Sequence, residues 1–261
     1  VIIATEGVNG TVSGPDLEVS LPGMKRFWQE LEKYFGAHDY HLKLSHSEKR
    51  PFLRFRVRVR EEIVTSGCGL LNPKCEGHLS VDDWHNRLTD GRDCTLIDTR
   101  NNYESEIGTF KGSICPDINT FQEFGNYLDE ANLPKDKPVL MFCTGGIRCE
   151  KARDIMMDKG YPEVYHLSGG ILAYMEKYPE GTFDGECFVF DRRVAVNANL
   201  EPTKVYGLCP HTGEPSKVEI VCNCCGKAAK VHPDCLSKSD LVTCSKDCAE
   251  RYRRKMAKQA A

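Results

Sequence analysis

The strongest chemical signal in this 261-residue chain is a cysteine followed at once by a glycine-rich turn and an arginine. The residues of this turn are Cys143, Thr144, Gly145, Gly146, Ile147 and Arg148. They follow an apolar run, residues 138–142, that predicts a buried strand, and they precede a helical pattern. Glycines let the backbone curl so that several N–H groups point inward, and the helix dipole and Arg148 add positive potential. Such surroundings favour the nucleophilic thiolate form of a cysteine, so Cys143 is the candidate nucleophile.

The spacing between Cys143 and Arg148 distinguishes two kinds of anion-binding loop. Cysteine phosphatases place the arginine one residue further along, around a phosphate-sized ring. The smaller ring of this chain resembles the loop of the rhodanese sulfurtransferases, which would also stabilise a persulfide anion. The alternative is a buried structural cysteine in a glycine turn. The coincidence of cysteine, glycines, arginine and strand–helix context disfavours that alternative.

Three further residues are candidates for supporting roles near this loop. Asp98 and Arg100 follow a second buried strand, residues 94–98, and either orient the loop or a substrate or form a structural ion pair at the strand exit. Cys149 either resolves an oxidised Cys143 as a disulfide or is a simple core thiol. The structural interpretation is favoured in both cases.

Seven of the 14 cysteines are crowded between Cys209 and Cys248, which is typical of metal ligands. Two close pairs predict one tetrahedral structural zinc site, and its ligands are Cys222, Cys225, Cys244 and Cys248. A second site could draw on residues that the spacing does not partition, namely Cys209, His211, Cys224, His232 and Cys235. Free thiols are the alternative. Because no signal peptide is visible, a reducing compartment explains the cysteines better than secreted disulfides do.

Residues 52–60 alternate apolar residues with arginine. On a strand this pattern places Phe55, Val57 and Val59 on one face. The other face then carries what we call the arginine strip, which consists of Arg54, Arg56, Arg58 and Arg60. Four like charges on one sheet face make a phosphate-binding surface, whereas the alternative is an ordinary solvated face. The basic residues 251–255 near the end of the chain have the same two interpretations, RNA contact or a solvated end.

Composition is that of a globular chain, with 40% apolar and 28% charged residues. The net charge of −3 is unevenly spread, since residues 1–60 hold ten Lys and Arg against seven Asp and Glu, and residues 204–261 hold eleven against six. Basic ends around an acidic middle suit a protein that binds a polyanion, although chance unevenness is an alternative. No apolar run is long enough to span a bilayer, so no membrane partner is expected and a cytoplasmic location is predicted. Because the chain opens at Val1 inside an apolar run, we interpret it as a fragment. An upstream targeting peptide, and with it an organellar location, is therefore the alternative to a cytoplasmic one.

Helix and strand signals alternate through the middle of the chain. The predicted helices cover residues 80–88, 121–131, 148–159 and 171–177, and the predicted strands cover 94–98, 138–142 and 164–167. This alternation predicts a parallel sheet with flanking helices, an α/β fold. Ahead of it, residues 1–14 predict a hairpin that turns at Val8-Asn9-Gly10, and a helix runs from Ser20 to a stop at Gly36. Residues 61–78 predict a linker.

Longer stretches of the chain resemble one family, the bacterial-type tRNA uridine(34) hydroxylases, which convert the wobble uridine to 5-hydroxyuridine with molecular oxygen. The resemblance rests on residues 6–14, 97–101, 106–112, 141–152 and 185–191. It implies a ferredoxin-like α+β domain truncated at its start (residues 1–62) and a rhodanese domain (residues 76–182), here followed by the Cys-rich tail (residues 204–261). It also implies that Cys143 is the persulfide-bearing cysteine, that oxygen is a co-substrate and that the tRNA anticodon arm is the partner. Neither a flavin signature nor an iron-binding His/carboxylate triad is visible in the sequence.

Three functional hypotheses result. The leading one is a tRNA-modifying enzyme in which the arginine strip and the basic tail hold the anticodon arm, while Cys143 performs sulfur-based redox chemistry on the wobble uridine. The alternative is a thiosulfate or persulfide sulfurtransferase. The third, a non-catalytic zinc and rhodanese adaptor, is disfavoured because an adaptor has no need of a reactive thiol. The sequence does not indicate an oligomeric state.

Overall fold

A computed structural model describes residues 1–15, 17–36, 47, 50–69 and 76–260 of the chain. Its strands are β1 (Ile2–Ala4), β2 (Gly7–Asn9), β3 (Arg58–Val59), β4 (His78–Leu79), β5 (Thr95–Asp98), β6 (Gly108–Phe110), β7 (Val139–Phe142), β8 (Val164–Leu167), β9 (Phe183–Gly185), β10 (Cys187–Phe188), β11 (Ala195–Val196), β12 (Gly207–Leu208), β13 (Pro215–Ser216), β14 (Glu219–Val221) and β15 (Ala228–Lys230). Its α-helices are α1 (Leu17–Phe35), α2 (Val81–Thr89), α3 (Asn102–Ser105), α4 (Phe124–Glu130), α5 (Ile147–Asp158), α6 (Gly170–Lys177) and α7 (Lys246–Ala260). Two 3-10 turns, Phe121–Glu123 and Pro233–Cys235, complete the described elements.

The centre of the molecule is a four-stranded parallel sheet in the order β4-β8-β7-β5, which confirms the predicted α/β fold. Every residue of β5 and β7 is buried. Successive side chains of β7 enter opposite cores, so that Met141 packs with α4 and α5 residues and Phe142 packs with α2 and α6 residues. The sheet is therefore covered by helices on both faces, as its continuous apolar strands require.

The predicted hairpin at the start of the chain exists, but its predicted turn is wrong. Ile3 pairs with Val8 and Ala4 with Gly7, so the chain reverses before Gly7 and Asn9 lies in β2. Gly7 has a φ of 140°, which permits this early reversal and outweighs the Asn-Gly signal further along. The helix that follows also begins earlier than predicted, at Leu17, and it ends before Gly36 as expected.

The predicted strand over residues 52–60 is wrong in its length. Only Arg58 and Val59 form β3, which pairs with β1 at the edge of the three-stranded sheet β2-β1-β3. Phe55 is 69% and Val59 81% exposed, because an edge strand this short is covered by little of the described chain. Backbone hydrogen bonds from Val1 to Arg56 and from Arg58 back to Val1 nevertheless keep this segment extended, with alternate residues turned the same way.

Several other elements differ from the sequence-based expectations. The helix expected over residues 121–131 is a 3-10 turn followed by α4. The linker predicted over residues 61–78 extends too far, because β4 begins at His78. Residues 70–75 of this linker lie outside the described residues. The pairing of β6 with β9 and the hairpin of β10 and β11 had no sequence prediction.

The Cys-rich tail consists of two short hairpins, β12–β13 and β14–β15, and the basic helix α7. None of the described helices has the length and apolar character needed to cross a membrane.

Candidate functional site

Cys143 directly follows the last residue of β7, at the carboxyl end of the parallel sheet, where ligands bind in open α/β folds. Its side chain is almost fully enclosed, at 2% exposure. The Gly146 N–H lies 3.1 Å from the Cys143 sulfur, and the N–H groups of Gly145 and Arg148 also donate to it. Gly146 has a φ of 98°, which requires glycine and turns the chain into α5. The Cys143 loop (residues 143–148) is thus a ring of donors around one sulfur atom.

These contacts lower the pKa of Cys143. Burial alone would raise it, because a buried thiolate loses its hydration. A hydrogen bond from the Cys149 thiol, the charge of Arg148 and the backbone N–H groups outweigh burial and bring the pKa to about 5. Burial, the hydrogen bond with Cys143 and the negative charge of Cys143 raise the pKa of Cys149 well above its usual value. Of the two neighbouring thiols, Cys143 therefore carries the negative charge and Cys149 keeps its proton.

Arg148 has a partner that the sequence analysis did not assign. Its guanidinium forms two hydrogen bonds with the fully buried carboxylate of Glu104, at 2.6 and 2.7 Å. Glu104 also accepts hydrogen bonds from the Asn101 N–H and the Thr144 hydroxyl, so it ties α3 to the loop. The charge of Arg148 is consequently shared between Glu104 and Cys143, rather than available to the sulfur alone. The signal was visible as the final glutamate of Asp98-x-Arg100-x-x-x-Glu104.

Backbone hydrogen bonds from the start of α6 support the Cys143 loop. The Ile171 N–H donates to the Cys143 carbonyl at 2.9 Å, and the Leu172 N–H donates to the Thr144 carbonyl at 3.2 Å. Gly170 has a φ of 65°, and a Cβ atom there would lie 2.5 Å from the Cys143 carbonyl oxygen. The residue therefore has to be glycine, which explains the Gly169-Gly170 pair at the start of this helix.

Asp98 and Arg100 form a fully buried ion pair, with 2.6 Å between Nη2 and Oδ2. Arg100 also donates to the Gly108 carbonyl, and the Thr109 hydroxyl donates to Asp98. The pair thus joins the exit of β5 to β6. This geometry favours the structural interpretation over direct contact with a substrate.

A buried ionic cluster attaches the N-terminal sheet to the helix that follows the loop. The Lys151 ammonium on α5 lies 2.9 Å from a Glu6 carboxylate oxygen and 2.5 Å from one of Glu62. It also donates to the Val64 carbonyl at 2.8 Å. The arginine strip therefore belongs to a unit that is fastened to α5 by a lysine only 4% exposed. Sequence analysis assigned no role to these three charged residues, although Glu6 and Lys151 lie in the segments that resemble the family.

The arginine strip itself is exposed along its whole length. Among the described residues none of its four guanidinium groups forms an ion pair, so their charges face solvent. In α7, by contrast, Arg251 and Arg254 pair with Asp247 and Glu250 of the same helix. Of the two basic surfaces that the sequence singles out, the strip is the better placed to bind an anion.

The four cysteines predicted as zinc ligands come together. The sulfur atoms of Cys222, Cys225, Cys244 and Cys248 all lie within 4.8 Å of one another. We call this group the four-cysteine cluster. Four convergent thiols are the donor set of a structural zinc site, and the donors fit such an ion.

The side chains predicted for a second metal site do not all come together. In the described part of the chain, the four-cysteine cluster is the one group of three or more His, Cys, Asp or Glu side chains that lie close enough to share a metal ion. Cys209 and Cys235 do meet, with 3.7 Å between their sulfur atoms. His211 instead contacts the Thr243 carbonyl at 3.1 Å, and His232 faces the carboxylate of Glu214 at 3.6 Å. The His211 imidazole is therefore engaged by Thr243, whereas the His232 backbone N–H donates to the Cys209 sulfur. Cys224 lies outside the cluster as well.

Comparison with known proteins identifies three successive family matches. They are the UPF0176 acylphosphatase like domain over residues 1–63, the Rhodanese-like domain over residues 80–177 and the Rhodanase C-terminal family over residues 184–254. Among solved structures, a rhodanese-like domain from Anabaena sp. aligns at 20% identity and a TM-score of 0.36, covering 42% of this chain and 80% of its own.

Curated relatives match much more of the chain. A tRNA uridine(34) hydroxylase of Bdellovibrio bacteriovorus is 46% identical over 99% of this chain and 74% of its own length. Proteins of the same name from Picosynechococcus sp. and Acinetobacter baylyi are 44% and 45% identical, over 80% and 77% of this chain. The matches span 70% and 63% of those two relatives.

Proposed function

The chain belongs to the tRNA uridine(34) hydroxylase family, and we propose that it hydroxylates the wobble uridine of tRNA, with Cys143 as the reactive group. The observation that carries this proposal is the single sulfur atom held by backbone N–H groups at the carboxyl end of β7. The product is 5-hydroxyuridine, and tRNA as substrate suits a cytoplasmic location.

Cys143 performs the sulfur chemistry of this reaction. With a pKa of about 5, its thiol is almost wholly ionised at neutral pH, so no separate base is needed to activate it. The loop N–H groups hold the anion, and Glu104 fixes the direction of Arg148 through two hydrogen bonds. Molecular oxygen is the co-substrate that supplies the new hydroxyl group, and its second oxygen atom leaves as water with two electrons and two protons from an external thiol-class reductant.

The arginine strip holds the tRNA backbone near the anticodon. Residues two apart on an extended chain lie about 7 Å from one another, close to the spacing of successive phosphates. Three members, Arg56, Arg58 and Arg60, follow the alternating hydrogen-bond register with β1. Because the strip contacts phosphates rather than bases, it binds RNA without reading sequence.

The four-cysteine cluster would hold zinc as a structural ion. The ion would cross-link the β14–β15 hairpin and the start of α7, in a segment with little apolar core of its own. The cluster lies outside the Cys143 loop and takes no part in the chemical step.

Sulfur transfer from thiosulfate or a persulfide is the second candidate. The specific observation in its favour is the ring of N–H donors, which would hold the terminal sulfur of a persulfide anion as well as a thiolate. On this hypothesis Cys143 accepts a sulfane sulfur and passes it to another thiol.

Nucleoside mass spectrometry of tRNA separates the two functions. In a strain lacking this protein, loss of 5-hydroxyuridine derivatives that the full chain restores, and that Cys143→Ser does not, is the expected result. Unchanged tRNA together with lost thiosulfate sulfurtransferase activity would contradict the hydroxylase function and favour the alternative.

The RNA surface is tested with the double variant Arg56→Ala, Arg58→Ala. Each phosphate contact contributes about 0.7–0.9 to the log–log salt dependence of binding, so the variant should bind tRNA more weakly and with a slope smaller by about 1.5. Arg92→Ala is the matched control, because Arg92 is similarly exposed but pairs with Asp90 in the rhodanese domain. Equal tRNA binding by the parent and the double variant would show that the strip is an ordinary solvated face.

A further inference from the structure

The two hairpins of the tail have the same local geometry. In the first, the Cys209 N–H donates to the Glu214 carbonyl and the Gly213 N–H donates to the Cys209 carbonyl, at 2.8 and 2.9 Å. In the second, the corresponding bonds run from Cys222 to Lys227 and from Gly226 to Cys222, both at 2.9 Å. The glycine of each turn has a positive φ, 83° in Gly213 and 72° in Gly226. Each hairpin therefore presents one cysteine at the start of an identical tight turn.

The first sulfur of each hairpin also has the same kind of surroundings. Cys222 accepts hydrogen bonds from the N–H groups of Cys224 and Cys225, two and three residues later, and from Cys244 in the following segment. Cys209 accepts them from His211 and Thr212, at the same two offsets, and from His232 in the following segment. Such N–H groups stabilise a thiolate that serves as a metal ligand.

This correspondence assigns a counterpart to each member of the four-cysteine cluster. Cys209 stands where Cys222 stands, and Thr212 stands where Cys225 stands. His232 corresponds to Cys244, because the backbone N–H of each donates to the first sulfur of its hairpin. Cys235, three residues after His232, then corresponds to Cys248, four residues after Cys244. The Thr212 hydroxyl forms a hydrogen bond with the Cys209 sulfur, just as the Cys225 thiol forms one with the Cys222 sulfur. Three of the four corresponding positions, Cys209, His232 and Cys235, thus keep a residue type that binds zinc, and the fourth, Thr212, has a hydroxyl.

The distance between the two buried sulfur atoms fits a shared metal ion. Cys209 and Cys235 are 1% and 2% exposed, and their sulfur atoms are 3.7 Å apart. Two thiolates on one tetrahedral zinc ion, each about 2.3 Å from it, lie about 3.8 Å apart. A disulfide would need about 2.05 Å. The pairs Cys225–Cys244 and Cys244–Cys248 of the four-cysteine cluster show the same spacing, at 3.5 and 3.6 Å.

We propose that Cys209, His232 and Cys235 form a second zinc site with three protein ligands and an open fourth position beside Thr212. The imidazole of His232 faces Glu214 at 3.6 Å and Asp234 at 3.4 Å, and it reaches the ion by rotating about its side-chain bonds. Zinc replaces the thiol protons of Cys209 and Cys235, which leave to solvent. A zinc site with three protein ligands retains one position for water or a small ligand, unlike the closed four-cysteine cluster.

Metal analysis of the full chain, purified without chelator and loaded with zinc alone, tests the stoichiometry. Two equivalents are expected in the parent, and one is expected in Cys209→Ser and in His232→Ala. His211→Asn is the matched control and should keep two equivalents, because the His211 imidazole is held by Thr243. One equivalent in the parent, unchanged by Cys209→Ser, would overturn the proposal, as would a Cys209–Cys235 disulfide detected by intact mass.

Thr212→Cys tests the correspondence between the two hairpins by adding a metal ligand rather than removing one. It should convert the open site into a closed four-ligand site and slow the removal of the second equivalent by a chelator. The expected effect is at least on the order of tenfold, since even outer-shell partners contribute that much to metal affinity. Removal at the parental rate would show that Thr212 does not face the ion and would refute the assignment. Cobalt substitution in the same variant supplies a second readout through its thiolate charge-transfer absorption, which should increase.

Discussion

The Cys143 loop and the four-cysteine cluster both hold sulfur atoms with backbone N–H groups, but the sulfur atoms serve different functions. In both, a glycine turn directs backbone N–H groups at a sulfur atom, from Gly145 and Gly146 in one case and from Cys224 and Cys225 in the other. In the loop one thiolate is enclosed at the end of a buried strand. In the cluster four thiols crowd within 4.8 Å.

The difference between these regions lies in how the negative charge is balanced. Cys143 needs no metal ion, because N–H groups, the Cys149 thiol and the Arg148 guanidinium hold its charge, and Glu104 limits what Arg148 contributes. Four adjacent thiolates repel one another strongly, so a bound divalent cation is the means of keeping them together. A thiolate that is isolated in a ring of donors is a nucleophile, whereas thiolates that are crowded in the same kind of ring are ligands.

The largest expected effect comes from Cys143→Ser. The change is nearly isosteric but removes the thiolate, so 5-hydroxyuridine formation in tRNA should fall by at least about a thousandfold with little change in thermal stability. Cys94→Ser is the control, since Cys94 is half-buried at the opposite end of β5. A Cys143→Ser protein that still modified tRNA fully would remove the distinction between the two regions.

The next effect concerns stability rather than chemistry. Cys222→Ser should lower the metal content by at least one equivalent, and a chelator should remove all of the bound zinc. Either treatment should unfold residues 209–248. The rhodanese domain should survive, because its two cores contain no residue of this segment. Limited proteolysis with mass spectrometry would reveal cleavage confined to the tail. A metal-free tail that resists protease would show that the cluster is not a structural site.

Sequence patterns predicted both regions well because their signals are local. Cys143 to Arg148 is one continuous turn after an apolar strand, and the cluster consists of two short-range cysteine pairs whose spacing already selects the four ligands. The parallel sheet was equally accessible, because strands buried on both faces, such as β7, are continuous apolar runs.

What the sequence did not predict depends on contacts between distant segments. Glu104 binds Arg148 across 44 residues, and Lys151 binds Glu62 across 89. The length of the strand predicted over residues 52–60 was wrong for a related reason. Alternation indicates which side chains share a face, but Val59 is exposed because β3 is a two-residue edge strand. The role of Gly170 appears only once the Cys143 carbonyl is seen beside it.

The smallest expected change in activity comes from substituting Cys149. Its role decides whether Cys143 is the one reacting thiol of the site. The Cys149 thiol donates a hydrogen bond to Cys143 and lies 3.5 Å from the Thr99 hydroxyl. Removing the donor in Cys149→Ala should raise the pKa of Cys143 above about 5. The thiolate is present above its pKa and lost as the pH falls through it, so the acid limb of the pH–rate profile should move to higher pH. A hydrogen bond to an ion contributes about 1.5–3 kcal/mol, which corresponds to a shift of about one unit or more.

Cys149→Ser separates this positioning role from a covalent one. Serine keeps a donor at the same place, so its acid limb should stay near that of the parent and its activity near neutral pH should be largely retained. If Cys149 instead closes a disulfide with an oxidised Cys143, serine cannot replace it, and the Ser and Ala variants should be inactive alike. Equal inactivation of both would therefore make Cys149 a reacting partner. The site would then contain two reacting thiols, Cys143 in the loop and Cys149 in α5. The difference from the tail would be that these thiols exchange electrons, whereas those of the tail bind metal.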